Sequence, residues 1–542
     1  MMTRFLRFKQ LAAAGLRVSM FLFVVLSGQA AADRPNIVVI LADDMGYSDI
    51  GSYGGEIPTP NLDQLAREGL RFTHFYNTSR CCPTRASLLT GLYQHQTGVG
   101  MMMSEGTARF DFGVDGYRGH LHRNCVTIAE VLRTTGYRTY MTGKWHLGGE
   151  DADDRPSQRG FDRFYGSLSG AFSYFKPKEE RHLMLDNDAL PPPDPKTYYT
   201  TDAFTEKAIE FIESGKDDAP FFLYLAHNAP HWPLHAKPKD IARFKGKYRG
   251  GWDELRAARG KRQAEIGLFP ASLGISPRDE KVRPWQELSD QEKNDADYRM
   301  AVYAAQMYSM DENIGKLVAY LKKTGRYENT IIAFMSDNGA CAEPYSEMGG
   351  GKQEEINNPE TWGMISYGRG WANLSNTPFR DYKNRPTEGG IASPLIITWP
   401  KGLAPKLAGS FHRGLAHITD FMPTFVEVSG AHYPAIAQGE LVHPMVGQSL
   451  LPVLRSGERE PLAFLFFEHS NNCAVRSGKW KATARYGEFK WQLYDLEADR
   501  LEGRDVAANN PDVVKRLEEA WHRWALQAKV APKGTPPPGS YN

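Results

Sequence analysis

Residues 36–44 read Asn-Ile-Val-Val-Ile-Leu-Ala-Asp-Asp, an apolar and mostly β-branched run that ends in two carboxylates, Asp43 and Asp44. Three further apolar runs of similar length follow along the chain, at residues 221–226, 330–335 and 395–399. Such runs are typical of strands buried on both faces, and helical patterns lie between them. The sequence therefore predicts an α/β fold with a large, mostly parallel sheet flanked by helices.

Polar side chains follow three of these four runs. Asp43 and Asp44 follow the first run, Asp337 and Asn338 the third, and His231 comes shortly after the second. Ligands of open α/β sheets bind beyond the carboxyl ends of the strands, so we expect these side chains to converge. Three carboxylates and one amide suit a hard cation such as Ca²⁺ or Mg²⁺. The alternative for an isolated Asp-Asp pair is a solvated turn or a helix cap.

The segment 81–91 reads Cys-Cys-Pro-Thr-Arg-Ala-Ser-Leu-Leu-Thr-Gly. Pro83 fits the first turn of a helix, which places Cys81 at the helix N-terminus, where free N–H groups and the helix dipole favour an anion. Cys81 is therefore a candidate activated nucleophile. The local pattern leaves open the alternative of a buried structural pair formed by Cys81 and Cys82.

The pattern Cys81-x-Pro83-x-Arg85, extended by residues 88–91, resembles the signature of the sulfatase family. In that family the cysteine is oxidised to formylglycine by a maturation enzyme that reads this segment. Further segments resemble sulfatases in the family order, namely Asp43-Asp44, residues 143–146, 230–233 and 336–339, Lys383 before Glu388-Gly389-Gly390, and residues 251–253, 478–481 and 493–496. The resemblance covers nearly the whole mature chain and implies the fold of the alkaline phosphatase superfamily.

The same resemblance implies a metal site that contains the nucleophile. A cation, Ca²⁺ with Mg²⁺ as the alternative, would be held by Asp43, Asp44, Asp337, Asn338 and an oxygen of the modified Cys81. Asp337 would also help to remove a proton from the hydrated formylglycine. These two features imply that the nucleophile is activated at neutral pH.

Five further side chains receive roles from the resemblance. Lys144 and His146 lie two apart, so in an extended segment both would face the formylglycine. His231 and Lys383 would contact the sulfate and its bridging oxygen, and Arg85 would orient the modified residue. His231 would protonate the leaving alcohol or phenol, and His146 would assist the release of sulfate.

The implied reaction is hydrolysis of the sulfate ester of a small substrate, either an aryl sulfate or a sulfated carbohydrate. One alternative is a phosphoester or phosphonate hydrolase of the same superfamily. Another is a secreted binder of sulfated glycans that keeps Cys81 unmodified.

The N-terminus indicates export. Basic residues, an apolar run at 18–26 and the alanines at 30–32 predict a signal peptide at 1–32 and a periplasmic or secreted protein. The apolar run is too short for a stable membrane anchor. We predict a catalytic domain at 33–450, a C-terminal α+β domain at 451–530 and a disordered tail at 531–542.

Local signals predict further elements. Helices are expected from Thr59 to Gly69, from Thr127 to Gly136, from Tyr298 to Lys323 and from Asn510 onwards, and short antiparallel strands at 462–467, 473–476, 479–483 and 491–494. The stretches 150–200 and 233–297 are interpreted as surface insertions.

Charge and cysteine content set further limits. The formal net charge is +1, which gives no reason to expect a nucleic acid partner. If Cys81 is modified, the remaining Cys82, Cys125, Cys341 and Cys473 allow three disulfide pairings.

Overall fold

The computed structural model describes residues 34–103, 114–148, 151–178, 183–215, 218–361, 363–470, 472–485 and 488–531. The predicted signal peptide at 1–32 lies outside the described residues, as does the predicted tail apart from Ala531. Ala531 itself is buried, and its N–H donates to the Tyr117 hydroxyl at 3.4 Å.

A ten-stranded mixed sheet forms the centre of the fold. Its strands are β1 (Asn36–Ala42), β2 (Leu70–Tyr76), β3 (Arg138–Lys144), β4 (Arg163–Ser167), β5 (Met184–Leu185), β6 (Asp188–Ala189), β7 (Phe221–Ala226), β8 (Thr330–Ser336), β9 (Ala392–Thr398) and β10 (Phe411–His417). They are ordered β10-β2-β9-β8-β1-β7-β3-β4-β5-β6. The central five, from β8 to β4, are parallel, whereas β9 runs antiparallel to both of its neighbours.

The central strand β1 shows why the apolar runs specify this sheet. Val38 and Ile40 belong to the hydrophobic core on one face, and Ile37, Val39 and Leu41 to the core on the other. Both faces are covered, so no polar side chain alternates with the apolar ones. The prediction of a large, mostly parallel sheet with helices on both faces is confirmed.

Twelve α-helices are found among the described residues. They are α1 (Pro60–Glu68), α2 (Cys81–Thr90), α3 (Ile128–Arg133), α4 (Thr200–Ser214), α5 (Pro238–Phe244), α6 (Gly251–Glu265), α7 (Asp290–Lys323), α8 (Gly368–Ser375), α9 (Glu388–Ile391), α10 (Phe421–Ser429), α11 (Leu451–Ser456) and α12 (Pro511–Gln527). On one face α7 packs against α1, α4 and α5, and on the other α10 packs against α2, α3 and α11.

The predicted helices are present with altered ends. The capping box of Thr127 and Glu130 forms as expected and starts α3. The long helix α7 begins at Asp290, eight residues before the predicted Tyr298, because Ser289 and Glu292 form a second capping box.

The interpretation of residues 233–297 as a surface insertion is wrong in one respect. Helix α6 buries Trp252 and Arg259 completely, and the Arg259 guanidinium contacts Asp49 at 2.8 Å. Helix α6 therefore contributes side chains to the core, although many other residues of the stretch are exposed.

A second, antiparallel sheet lies near the C-terminus, as predicted. Its strands are β13 (Leu465–His469), β14 (Asn472–Ser477), β15 (Trp480–Arg485) and β16 (Gln492–Asp495), and the hairpin β11 (Ile436–Ala437) and β12 (Glu440–Leu441) precedes it. Helix α12 covers this sheet with Leu517, Trp521 and Trp524. The division into domains at residue 450 stays a prediction, and Val453 and Leu454 of α11 pack in a core of the large sheet.

Candidate active site

A cluster of oxygen-bearing side chains lies at the carboxyl ends of β1 and β8. The Asn338 amide donates to Asp44 Oδ1 at 2.6 Å, and the Asp44 N–H donates to Asp337 Oδ1 at 3.1 Å. Asp43, Asp44, Asp337 and Asn338 are each at most 1% exposed. The parallel pairing of β1 with β8 brings the two sequence-distant pairs together, as the strand ends predicted.

Three cations surround the three carboxylates. Lys144 Nζ lies 2.6 Å from Asp43 Oδ2, and Lys383 Nζ lies 2.8 Å from Asp44 Oδ2. The Arg85 guanidinium lies 3.0 Å from Asp337 Oδ2. The formal charges of these six side chains therefore cancel.

Two buried oxygen atoms of the cluster lack a hydrogen-bond donor. These atoms are Asp43 Oδ1 and Asn338 Oδ1. The Arg85 guanidinium lies 3.5 Å from Asp43 Oδ1. Unsatisfied buried oxygen atoms are costly unless a cation or a donor compensates them. Carboxylate and amide oxygens are also the ligands that Ca²⁺ and Mg²⁺ prefer, so the residues present fit a hard cation.

Cys81 lies at the start of α2, as the proline position predicted. It is fully buried, and the preceding Arg80 is the N-cap residue. A hydrogen bond from Cys82 holds the pKa of the Cys81 thiol well below its usual range, against the effect of burial, and Lys144 and His146 act in the same direction. The surroundings of Cys81 therefore favour a negatively charged group.

His146 reaches the neighbourhood of Cys81 by a different path from the one expected. Strand β3 ends at Lys144, and His146 has a φ of 57°, so the alternation of an extended segment does not apply. The ligand atoms of Cys81, Cys82 and His146 nevertheless lie within 4.8 Å of one another. Trp145 turns away and donates to the Asp154 carbonyl at 3.0 Å.

His231 approaches the cluster from the loop after β7. Its Nε2 lies 3.3 Å from Asp44 Oδ2, and its Nδ1 pairs with the Trp232 carbonyl. The Tyr174 hydroxyl fixes the loop, since it donates to the carbonyls of Asn228 and His231 at 2.7 and 2.8 Å. Nε2 is therefore the nitrogen that faces the site.

Burial and charge together set the protonation of the cluster. Burial raises the pKa of Asp337 well above its usual range, and Asp43 adds to the effect. Burial acts in the same direction on Asp43, but Lys144, His231 and Arg85 together outweigh it and lower the pKa of Asp43. A divalent cation at this place would favour the ionised form of both carboxylates.

Two residues beside Lys383 were not predicted. Glu343 is buried, lies 3.5 Å from Lys383 Nζ and accepts a hydrogen bond from Arg80 at 2.6 Å. The Trp232 indole donates to its other oxygen at 3.2 Å. Glu343 lies in a loop that follows Asp337, and Arg80 immediately precedes Cys81. Their nearness in sequence to predicted site residues was therefore the sole signal that could have identified them.

All five cysteines lie in the described residues and are free, buried thiols. None of the three pairings allowed by the sequence forms. Cys341 lies beside the site, with its Sγ 3.8 Å from Lys383 Nζ.

The fold and the site together define a sulfatase. The family model described as Sulfatase matches residues 35–431, so the chain belongs to the sulfatase family and is a sulfuric ester hydrolase. A second model, described as N-sulphoglucosamine sulphohydrolase, C-terminal, matches residues 383–526.

Individual relatives agree with this assignment. The chain is 34% identical to an arylsulfatase of Klebsiella aerogenes over 79% of this chain and 94% of the relative. It is 31% identical to human arylsulfatase A, with coverage of 85% and 77%.

Solved structures share the fold over the same range. Ps i-CgsB in complex with k-i-k-neocarrahexaose is 27% identical, with a TM-score of 0.64 and coverage of 91% and 93%. A phosphonate monoester hydrolase of Agrobacterium radiobacter is 20% identical, with a TM-score of 0.54 and coverage of 92% and 96%, which shows similarity of fold alone. Among the described residues, no helix combines the length and the apolar character needed to span a bilayer.

Proposed function

We propose that the chain cleaves sulfate esters through a formylglycine derived from Cys81 and a bound divalent cation, Ca²⁺ or Mg²⁺. The observation that carries the proposal is the convergence of Cys81 with three carboxylates, Lys144 and Lys383 in one buried cluster. We also propose that the protein is exported, and that a maturation enzyme modifies Cys81 before the chain folds.

The cation would be held by Asp43, Asp44, Asp337, Asn338 and the modified side chain at position 81. It would supply charge stabilisation for the sulfate oxygens and lower the pKa of a hydroxyl of the hydrated formylglycine. The donor-free oxygens of Asp43 and Asn338 support this assignment. With a divalent cation added to the neutral set of six side chains, the site becomes positive and attracts an anionic ester.

The lysines stabilise charge that develops on the sulfate during attack at sulfur. Lys144 and Lys383 contact different carboxylates of the cluster, at 2.6 and 2.8 Å. Both are buried, where an ammonium group interacts more strongly with an anion than it does in water.

His231 donates a proton to the leaving oxygen. Its Nδ1 is paired with a carbonyl, so the proton would come from Nε2 of the protonated ring, the nitrogen that lies 3.3 Å from Asp44 Oδ2. His146 lies on the Cys81 side instead, and we assign to it the proton transfer that accompanies release of sulfate.

The substrate class is a sulfated sugar or an aryl sulfate. The sugar is supported by Ps i-CgsB, a relative in fold and sequence that is complexed with k-i-k-neocarrahexaose. The aryl ester is supported by the relatives named arylsulfatase.

The rival function is hydrolysis of a phosphoester or phosphonate, which the same anion cradle could serve. The test compares kcat/KM for an aryl sulfate and the matched aryl phosphate, using protein whose aldehyde at position 81 has been quantified by mass spectrometry. We expect the sulfate to be preferred and Cys81→Ala to lose turnover. A preference for the phosphate would reject the proposal, as would a Cys81→Ala variant with full sulfatase activity. Cys125→Ser, a buried cysteine beside Arg159 and away from the cluster, is the matched control.

A further inference from the structure

A group of soft donor atoms lies close to Cys81. Met102 Sδ lies 3.8 Å from Cys81 Sγ and 3.7 Å from Cys82 Sγ. His146 completes the group, since one of its ring nitrogens lies within 4.8 Å of both thiol sulfurs. Two thiols, one thioether and one imidazole therefore face a common point.

The spacing of the sulfurs matches that of ligands around one metal ion. With metal–sulfur bonds of about 2.3 Å, two sulfur ligands lie about 3.8 Å apart in a tetrahedral site and about 4.0 Å apart in a trigonal one. The observed 3.7 and 3.8 Å fall at the shorter of these values. Sulfur atoms in van der Waals contact lie at nearly the same distance, so an ion could bind between these side chains with little movement of the sulfur atoms.

The surroundings would support such an ion. The Met103 N–H donates to Cys82 Sγ at 3.2 Å, a contact that stabilises a thiolate. His146 is 4% exposed, and its Nδ1 has no hydrogen-bond partner. The Arg80 guanidinium, which is paired with Glu343, also lies beside the group, with its Nε 3.3 Å from Met102 Sδ.

We propose that the chain with unmodified Cys81 binds one cuprous ion between Cys81, Cys82, Met102 and His146. The thioether selects the metal, because soft sulfur ligands favour Cu⁺, whereas zinc sites use thiolate, imidazole and carboxylate ligands. The ion replaces the two thiol protons, which are released to solvent, and no electron is transferred. The site shares Cys81 with the oxygen cluster, whose carboxylates favour hard cations instead.

This site exists in one covalent state of the protein. Conversion of Cys81 to formylglycine removes one of the three sulfur ligands, so the modified chain should bind the ion much more weakly. That consequence rests on the proposed modification, whereas binding to the unmodified chain does not. A soft-metal site is therefore a property of the folded chain in which Cys81 has escaped modification.

The test uses full-length protein made without a maturation system, reduced and kept free of oxygen, with Cys81 verified as a thiol by mass spectrometry. Cu⁺ is titrated in competition with a chromophoric chelator such as bicinchoninate. We expect one ion per chain. Met102→Leu should lower the affinity for Cu⁺ at least about tenfold, because loss even of a residue that only hydrogen-bonds to a metal ligand commonly has an effect of that size. Cys82→Ser should lose the site, and Cys125→Ser should keep it.

Equal affinity of Met102→Leu, Cys82→Ser and Cys125→Ser would overturn the proposal. X-ray absorption at the copper edge guards against misfolded variants, because the unaltered chain should show three sulfur neighbours at about 2.3 Å. A spectrum with oxygen and nitrogen neighbours alone would contradict the site. Sulfatase activity of the mature protein is unaffected by either outcome, so the two proposals can fail independently.

Discussion

Lys481 of β15 joins the C-terminal sheet to the large sheet, and its replacement by methionine should destabilise the protein. Its Nζ lies 3.0 Å from Glu388 and 2.9 Å from Glu502, and the Arg500 Nε lies 3.1 Å from Glu388. Lys481 is fully buried, and Glu388 and Arg500 are nearly so. The four formal charges cancel in the unaltered chain.

The size of the effect follows from the charge left behind. Lys481→Met removes the cation that contacts both carboxylates, and among the described residues no other salt bridge reaches the buried Glu502. Removing one member of a buried pair typically costs about 3–5 kcal/mol. The double variant Lys481→Met with Glu502→Gln restores the charge balance. It also keeps an acceptor for the Glu388 N–H, which donates to the Glu502 carboxylate at 2.8 Å in the unaltered chain. It should therefore recover more than half of the loss.

The assay is urea unfolding followed by tryptophan fluorescence, since Trp491 and Trp521 lie in the core of the C-terminal sheet. Lys261→Met is the control, because Lys261 is exposed and lies 3.9 Å from Glu265, a surface pair of little expected weight. A loss below about 1 kcal/mol for Lys481→Met would refute the reasoning. A double variant no more stable than the single one would refute the charge argument in particular.

Three more outcomes are expected. Chelation of divalent cations, or Asp43→Asn, should lower kcat at least about a hundredfold, because charge stabilisation by the cation is worth several kcal/mol; stoichiometric zinc in the active protein would contradict the hard-cation site. His231→Ala should make kcat/KM for aryl sulfates depend more steeply on the leaving-group pKa, whereas His146→Ala should accumulate a sulfated enzyme detectable by mass spectrometry; the reverse pattern would exchange their roles. Asp311→Ala should lower the free energy of unfolding by about 2–3 kcal/mol at unchanged kcat, since Asp311 accepts hydrogen bonds from the N–H groups of Asn61 and Leu62 at the start of α1. If Asp311→Ala is as stable as Asp311→Asn, these hydrogen bonds contribute little.

The parts of the fold and site that could be predicted are those that local sequence specifies. The runs before Asp43 and Asp337 are both apolar on each face of a strand, which predicts two strands buried in a parallel sheet. Because the carboxyl ends of parallel strands lie at one edge of the sheet, the same pattern predicts that Asp43 and Asp337 lie close together. The proline after Cys81 likewise fixes the start of α2.

Other features depend on contacts between distant segments and leave no local signal. Glu343 is one acidic residue in a polar loop, and its importance lies in the Arg80 and Lys383 side chains that meet it. Arg259 is one of several charged residues on α6, yet it is buried because Asp49 and Glu56 lie opposite. His146 lies near Cys81 as expected, but its backbone path escaped prediction, because His146 itself has a left-handed φ of 57°.

The burial of Cys81 has a consequence for the timing of biosynthesis. Every residue of α2 is buried, and Arg85 is held by Asp337, which lies 252 positions further along the chain. A ribosome adding about 5–20 residues per second needs roughly 13–50 s to cover that distance. Throughout this interval β8 and Asp337, which complete the cluster around the start of α2, have not been synthesised. Any enzyme that modifies Cys81 therefore has roughly 13–50 s in which the site is incomplete, and that interval ends once β8 docks beside β1.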